Sequence, residues 1–150
     1  MAGEALVKLG PWSSALISAA STATNATTSA SNALDTYITG TNEASYPLLD
    51  FQLLANFGTA PTENTTIDLY VILSDGTNYA VAPETGAGGF KQQYLGSFVL
   101  NNATGDQYSY INGAPNLDPK GKFVLFNNAT GQTGTLTLKA RARTFVGAAA

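Results

Sequence analysis

Alternating apolar and polar residues restrict the fold of this 150-residue chain more than any other feature of its sequence. Between residues 49 and 57, Leu, Phe and Ala occupy every odd-numbered position, whereas Asp50, Gln52 and Asn56 lie between them. Residues 67–73 alternate in the same way. Because successive side chains of a β-strand point to opposite faces of a sheet, each run predicts a strand with one buried face.

Further short runs, bounded by Gly, Asn or Pro, predict strands at residues 94–100, 107–111, 122–126 and 135–143, with 34–38 as one more candidate. No segment has the pattern of an amphipathic helix. Short strands at this spacing indicate an antiparallel sandwich or barrel of about seven or eight strands. We expect the large inward-facing residues to be buried, namely Phe51, Leu53, Phe57, Leu69, Val71, Leu73, Phe98, Leu100, Phe123, Leu125, Leu136 and Leu138.

The first 33 residues have a different composition. Residues 13–33 are almost entirely Ala, Ser, Thr and Asn, and only Leu16 and Ile17 are larger apolar residues. Such a segment buries little apolar area, so we expect residues 1–33 to form an extended N-terminal arm or an outer strand layer, with disorder as the alternative. The sandwich then spans residues 34–146, and residues 147–150 form a tail. Trp12 is the candidate anchor of the arm, either on a partner or on its own sandwich.

The lack of cysteine and histidine excludes disulfides, thiol nucleophiles, histidine general bases and the usual zinc sites. Ten carboxylates remain, but they are scattered singly along the chain, and no pair of them indicates acid–base catalysis. The Asp-Gly-Thr-Asn sequence at residues 75–78 could offer oxygen ligands to calcium, but a hairpin turn explains it better. We therefore expect no enzyme activity, metal or cofactor, and we assign no catalytic residue.

Charged residues make up only 11% of the chain, and its net charge is −3. Lys139, Arg141 and Arg143 nevertheless alternate along one predicted strand. This spacing places their side chains on a single face, which we expect to be solvated or to contact another subunit. An acidic chain with so few basic residues is not typical of nucleic-acid binding, so we expect no nucleic-acid partner.

The N-terminal residues lack the apolar core of a secretory signal, and no run of about 18 apolar residues could span a membrane. We therefore expect a protein that is made in the cytoplasm and has no membrane partner. Four Asn-x-Thr sequences are then expected to be turns rather than glycosylation sites; they begin at Asn25, Asn64, Asn102 and Asn128.

The sequence Asn-Asn-Ala-Thr-Gly occurs twice, at residues 101–105 and 127–131, shortly after a Phe-Val-Leu run each time. Each copy predicts a strand followed by a turn, because Asn and Gly accept positive φ angles. Seven tyrosines also leave open a carbohydrate-binding face, with Tyr79, Tyr94, Tyr108 and Tyr110 as the candidates. Packing within strands is the simpler explanation of these tyrosines.

Several stretches of the chain, taken together, resemble the small β-sandwich decoration, or cement, proteins on the outside of tailed-bacteriophage capsids. These stretches are residues 12–16, the Ala/Ser/Thr/Asn segment through Asn32, and residues 53–61, 67–80, 96–98 and 116–125. The resemblance implies a jelly-roll-like antiparallel sandwich, often a homotrimer. It also implies a structural virion protein that binds the major capsid protein and stabilises the shell.

The resemblance carries over no capsid contact residue by residue. From the sequence itself, the candidate assembly contacts are Trp12, Leu16, Ile17, Lys139, Arg141 and Arg143. A phage tail or surface module that recognises host glycans is the alternative function.

Overall fold

The computed structural model describes residues 5–29, 47–75, 77–78, 93–118 and 120–147. Within these ranges the chain is all-β and forms nine strands: β1 (Ala5–Leu9), β2 (Ile17–Thr22), β3 (Thr27–Ser29), β4 (Leu48–Phe57), β5 (Thr66–Ile72), β6 (Tyr94–Val99), β7 (Gly105–Pro115), β8 (Lys122–Asn128) and β9 (Gly134–Gly147). The described residues include no helix that could cross a membrane.

The strands form two antiparallel sheets. Sheet A has the order β1–β9–β4–β7, and β2 pairs with the same strand, β9, beside β1. Sheet B has the order β3–β8–β5–β6. Since β4 occupies one edge of β9 from Gly134 to Arg143, β1 and β2 must share its other edge.

The inward faces of the two sheets form one hydrophobic core. Phe51 of sheet A contacts Phe123 of sheet B edge-on, with ring centroids 4.9 Å apart. Eleven of the twelve residues expected in the core are buried; Leu73 is the exception, because its side chain is 39% exposed. Strand β5 ends at Ile72, the last of its residues that pairs with β8, so Leu73 lies just past the strand.

The predicted strands from residue 48 onward are confirmed, with longer limits for β7 and β9. The candidate strand at residues 34–38 and Tyr79 lie outside the described residues.

The N-terminal segment was expected to be either an extended arm or an outer strand layer, and its described residues, 5–29, form strands of the two sheets. Strands β1 and β2 extend sheet A, and β3 pairs with β8 in sheet B. Leu16 and Ile17 are buried in the shared core. A sequence poor in large apolar residues is held here by backbone pairing and by these two side chains.

The two ends of the sandwich differ in chemistry. At one end, which we call the turn end, short connections at residues 23–26, 58–65, 100–104 and 129–133 join strands of the two sheets. They contain three of the four Asn-x-Thr asparagines, and the fourth, Asn128, directly precedes the last connection. At the opposite end, which we call the ribbon end, β1 and the last residues of β9 pair beyond the start of β4.

Candidate functional site: the outer face of sheet A

The solvent-facing side of sheet A carries four of the six candidate assembly contacts, namely Trp12, Lys139, Arg141 and Arg143. Register places Lys139 of β9, Gln52 of β4 and Tyr110 of β7 in one row across three strands. The next row contains Thr137, Leu54 and Tyr108. Lys139, Arg141 and Arg143 therefore share one outward face of β9, as their alternation predicts.

A fully buried carboxylate, Asp50, lies on this outer face. Strand β7 has one extra residue opposite β4 at this point, between Ile111 and Ala114. This bulge includes Gly113, whose φ of 69° is in the left-handed region that favours glycine. The distortion turns the N–H of Gly113 toward Asp50, and it donates to Oδ1 at 2.9 Å.

Two arginines complete the coordination of Asp50. Arg143 donates from Nε to Oδ1 at 2.6 Å and from Nη2 to Oδ2 at 3.0 Å, and Arg141 donates from Nε to Oδ2 at 2.9 Å. Burial alone would raise the pKa of Asp50, but the hydrogen bonds from Arg143, Gly113 and Arg141 outweigh it and lower this pKa. A carboxylate with both oxygens bound in this way is suited to holding three strands together rather than to proton transfer.

Trp12 lies on its own sheet, over this ion cluster. Its ring is 4.5 Å from the guanidinium carbon of Arg141 and 6.3 Å from the ring centroid of Tyr110. The irregular segment before β2 holds it there, because Ser13 donates its backbone N–H to Ala140 and accepts a hydrogen bond from the same residue on its hydroxyl. Stacking of a guanidinium on an indole is favourable and covers part of the charge of Arg141.

The six candidate assembly contacts are thus in two different environments. Trp12, Lys139, Arg141 and Arg143 are partly exposed on the outer face of sheet A. Leu16 and Ile17 point into the core of their own chain and do not face solvent. Sequence reasoning missed Asp50, because only the register of β4 with β9 places it beside the two arginines.

A second polar cluster lies on the outer face of sheet B. Asp68 accepts hydrogen bonds from the hydroxyl of Ser97 at 2.6 Å and from the side-chain amide of Asn128 at 2.9 Å. Burial, together with the neighbouring charge of Asp68, raises the pKa of Tyr70. No group of three or more Asp, Glu, His or Cys side chains within the described ranges could hold a metal ion.

The expected turns have specific hydrogen-bonding roles. Asp75 accepts the backbone N–H groups of Thr77 and Asn78, which forms a tight turn and lowers the pKa of Asp75. In the second Asn-Asn-Ala-Thr-Gly copy, the buried side chain of Asn127 donates to the carbonyl oxygen of Thr22 and so ties β8 to the end of β2.

The expected φ angles of the repeated motif are correct only for glycine. Gly105 and Gly131 have positive φ in their respective copies, but the third positive φ belongs to Ala129 rather than to an asparagine. Asn127 is instead an ordinary strand residue, since its side chain is used in the buried hydrogen bonds of the β8–β9 connection.

Comparison with models of known protein families finds no match to this chain, and no curated protein matches it either.

Proposed function

We propose that this protein is a capsid decoration protein that attaches to the outside of a bacteriophage shell through its ribbon end. The observation that carries the proposal is the distribution of exposed apolar side chains. Five large ones lie at the ribbon end: Val7, Leu9, Leu73, Leu117 and Phe145. Val7, Leu9 and Phe145 belong to the ribbon itself, and Leu73 and Leu117 follow the ends of β5 and β7 at the same end of the sandwich. Among the described residues of the turn end, Val99 is the only comparable one.

One end with exposed apolar side chains and an opposite end of mostly uncharged polar turns suit a module that binds a protein surface end-on. Val7 is paired with Phe145 across the ribbon, so their side chains lie side by side on one face. Clustered exposed apolar groups of this kind mark protein-binding sites, whereas single ones are ordinary. At the other end, the turns are rich in Asn and Thr and contain Glu63 as their one charged residue, so crowded copies stay hydrated with little added charge.

The strand order supports a jelly roll as the finer description of the sandwich. From β2 to β9 the chain crosses between two four-stranded layers, β2–β9–β4–β7 and β3–β8–β5–β6, at every connection except the one from β5 to β6. Eight strands in two sheets with this pattern are typical of jelly rolls, which are frequent among viral capsid proteins and lectins. Fold alone does not establish function, so the attachment surface has to be tested directly.

The first test is the copy number of the protein in purified virions. A decoration protein should be present at a large fraction of the major capsid protein on a stained gel. A tail or adsorption module would be present at a few to a few dozen copies, and that result would overturn the proposal.

The second test compares two exposed apolar residues at opposite ends of the sandwich. Phe145 and Val99 are each 58% exposed, so Phe145→Ser and Val99→Ser remove similarly accessible apolar groups. We expect capsids that lack the protein to capture the wild type and Val99→Ser equally, and Phe145→Ser at least tenfold less. Equal capture of all three proteins would show that the ribbon end is not the attachment surface.

The resemblance also implies a homo-oligomer, with a trimer as the expected form. Light scattering of the purified protein gives its mass in solution. A mass near 15.5 kDa, that of one chain, at high protein concentration would contradict the trimer and show that the protein is a monomer before it attaches.

A further inference from the structure

Two tyrosines stand exposed on the outer face of sheet A, away from the ribbon end. Tyr108 and Tyr110 are 60% and 50% exposed, although both belong to a regular part of β7. They are two residues apart on the same face, so their Cα atoms are separated by about 7 Å. The hydroxyl of Tyr110 accepts a hydrogen bond from Gln52 Nε2 at 2.9 Å, and no described residue accepts the hydroxyl proton, which a ligand could therefore accept.

Trp12 extends this aromatic surface toward the middle of the sheet, since its ring lies 6.3 Å from that of Tyr110. Polar groups border the rings on both sides. Gln52 lies directly beside Tyr110, and Asn56 donates to Asp106 one row beyond Tyr108. Flat aromatic rings flanked by amide and hydroxyl groups are suited to sugar rings, which have apolar faces and hydroxyl edges.

The charge on this face is positive, in contrast to the chain as a whole. Arg141 and Arg143 share a single carboxylate, that of Asp50. Lys139 forms no ion pair with any residue that the structure describes, and it lies in the same row as Tyr110. Among the described residues of this face, three basic side chains and two acidic ones, Asp50 and Asp106, leave one net positive charge, whereas the whole chain has a net charge of −3.

We infer that the outer face of sheet A binds a polysaccharide that carries acidic sugars. Sugar rings of the polysaccharide stack on Tyr108 and Tyr110, and a carboxylate of one of its sugars pairs with Lys139. This site is separate from the ribbon end, so a protein attached to a capsid end-on still presents the site to a surface polysaccharide. The inference does not depend on the proposed attachment, and each is tested by its own variants.

The test is migration of the purified protein through native gels that contain polygalacturonate, an acidic polysaccharide, or dextran, a neutral one. We expect polygalacturonate to retard the wild type and dextran to have much less effect. The double variant Tyr108→Ala/Tyr110→Ala should bind polygalacturonate about tenfold more weakly, because both stacking rings are removed. Lys139→Gln should weaken binding several-fold and reduce its dependence on salt.

The matched control is Tyr94→Ala, which removes a 47% exposed tyrosine from sheet B and should leave the retardation unchanged. Thermal unfolding verifies that each variant is folded, and the single variant Tyr108→Ala replaces the double variant if the latter is not. Lack of retardation by polygalacturonate, or equal retardation of all variants, would overturn the inference. Equal binding of an oligothymidylate would also overturn it, because a site for any polyanion would then explain the result.

Discussion

At the scale of single residues, Asp50 shows how one side chain can depend on three strands. It belongs to β4, its arginine partners belong to β9, and the N–H that it accepts comes from a bulge in β7. Removing one member of such a buried group leaves the others desolvated and unpaired, which costs more than the net value of the intact group. Asp50 is therefore more important for stability than its place in a polar position of the sequence indicates.

Replacing Asp50 with asparagine should lower the free energy of unfolding by about 2 to 4 kcal/mol, because two arginines lose their common counter-charge. Urea denaturation measures this change. Asp106→Asn is the matched control, since Asp106 is exposed and bonded only to Asn56 among the described side chains, and it should change stability by less than about 0.5 kcal/mol. An equal effect of both substitutions would contradict the assigned role.

The pH dependence of stability follows from the lowered pKa of Asp50. A lowered folded-state pKa gives stabilisation that is fully present above the unfolded value of about 3.9 and is lost as the pH falls through the folded value. We expect the free energy of unfolding to decrease as the pH is lowered below about 4. The Asp50→Asn variant should lose less stability than the wild type over the same pH range. If the free energy of unfolding fell equally with pH in the wild type and the variant, this explanation would be contradicted.

At the scale of elements, β2 illustrates why composition alone underestimates a segment. It is mostly Ala, Ser and Thr, yet it pairs with β9 and begins at a buried residue, Ile17. Ala19 has a φ of 45° and lies within the register shift, or bulge, between Ile17 and Ala20. Deleting residues 1–33 would remove β1 and β2 from sheet A and β3 from sheet B, so it should destabilise the sandwich itself.

Leu16 and Leu9 allow this prediction to be tested without a deletion. Leu16→Ala should cost about 2 to 5 kcal/mol, because its side chain is buried in the core shared by both sheets. Leu9→Ala changes an exposed residue and should cost about 0.5 kcal/mol or less. Thermal or urea unfolding of the two variants gives the comparison. Similar small losses in both would indicate that the N-terminal segment is an independent arm after all.

At the scale of the whole molecule, one core joins the two sheets, so we expect the sandwich to unfold as a unit. Phe51→Ala removes the ring that contacts Phe123 across the core and should cost about 3 to 5 kcal/mol. Leu54→Ala is the control, because Leu54 lies on the opposite face of the same strand and is only partly buried. It should lower the free energy of unfolding clearly less than Phe51→Ala does.

Two probes report on the transition of each variant: the fluorescence of the single tryptophan, Trp12, and the circular dichroism of the strands. Coincident curves are expected for one cooperative unit. Separate transitions would show that sheet A and sheet B unfold independently.

The amino-acid sequence by itself determined the all-β class, the strand positions from residue 48 onward and most of the large core residues of those strands. This was possible because successive residues of a strand face opposite sides of the sheet. An alternation of apolar and polar residues, such as that of residues 49–57, therefore marks the buried face directly. It also placed Lys139, Arg141 and Arg143 on one face. Leu73 was misplaced because alternation does not tell where pairing stops.

Only the tertiary structure decided which strands are neighbours in each sheet and which side chains contact one another on the sheet faces. The Asp50 cluster, the stacking of Trp12 on Arg141 and the row from Lys139 to Tyr110 all join residues that are distant in the chain. Such contacts depend on strand order and register, which are set by the packing of the whole sandwich rather than by any local pattern. For the same reason, the sequence left open whether the N-terminal segment is an arm or a strand layer, and only its pairing with β9 and β8 decided this for residues 5–29.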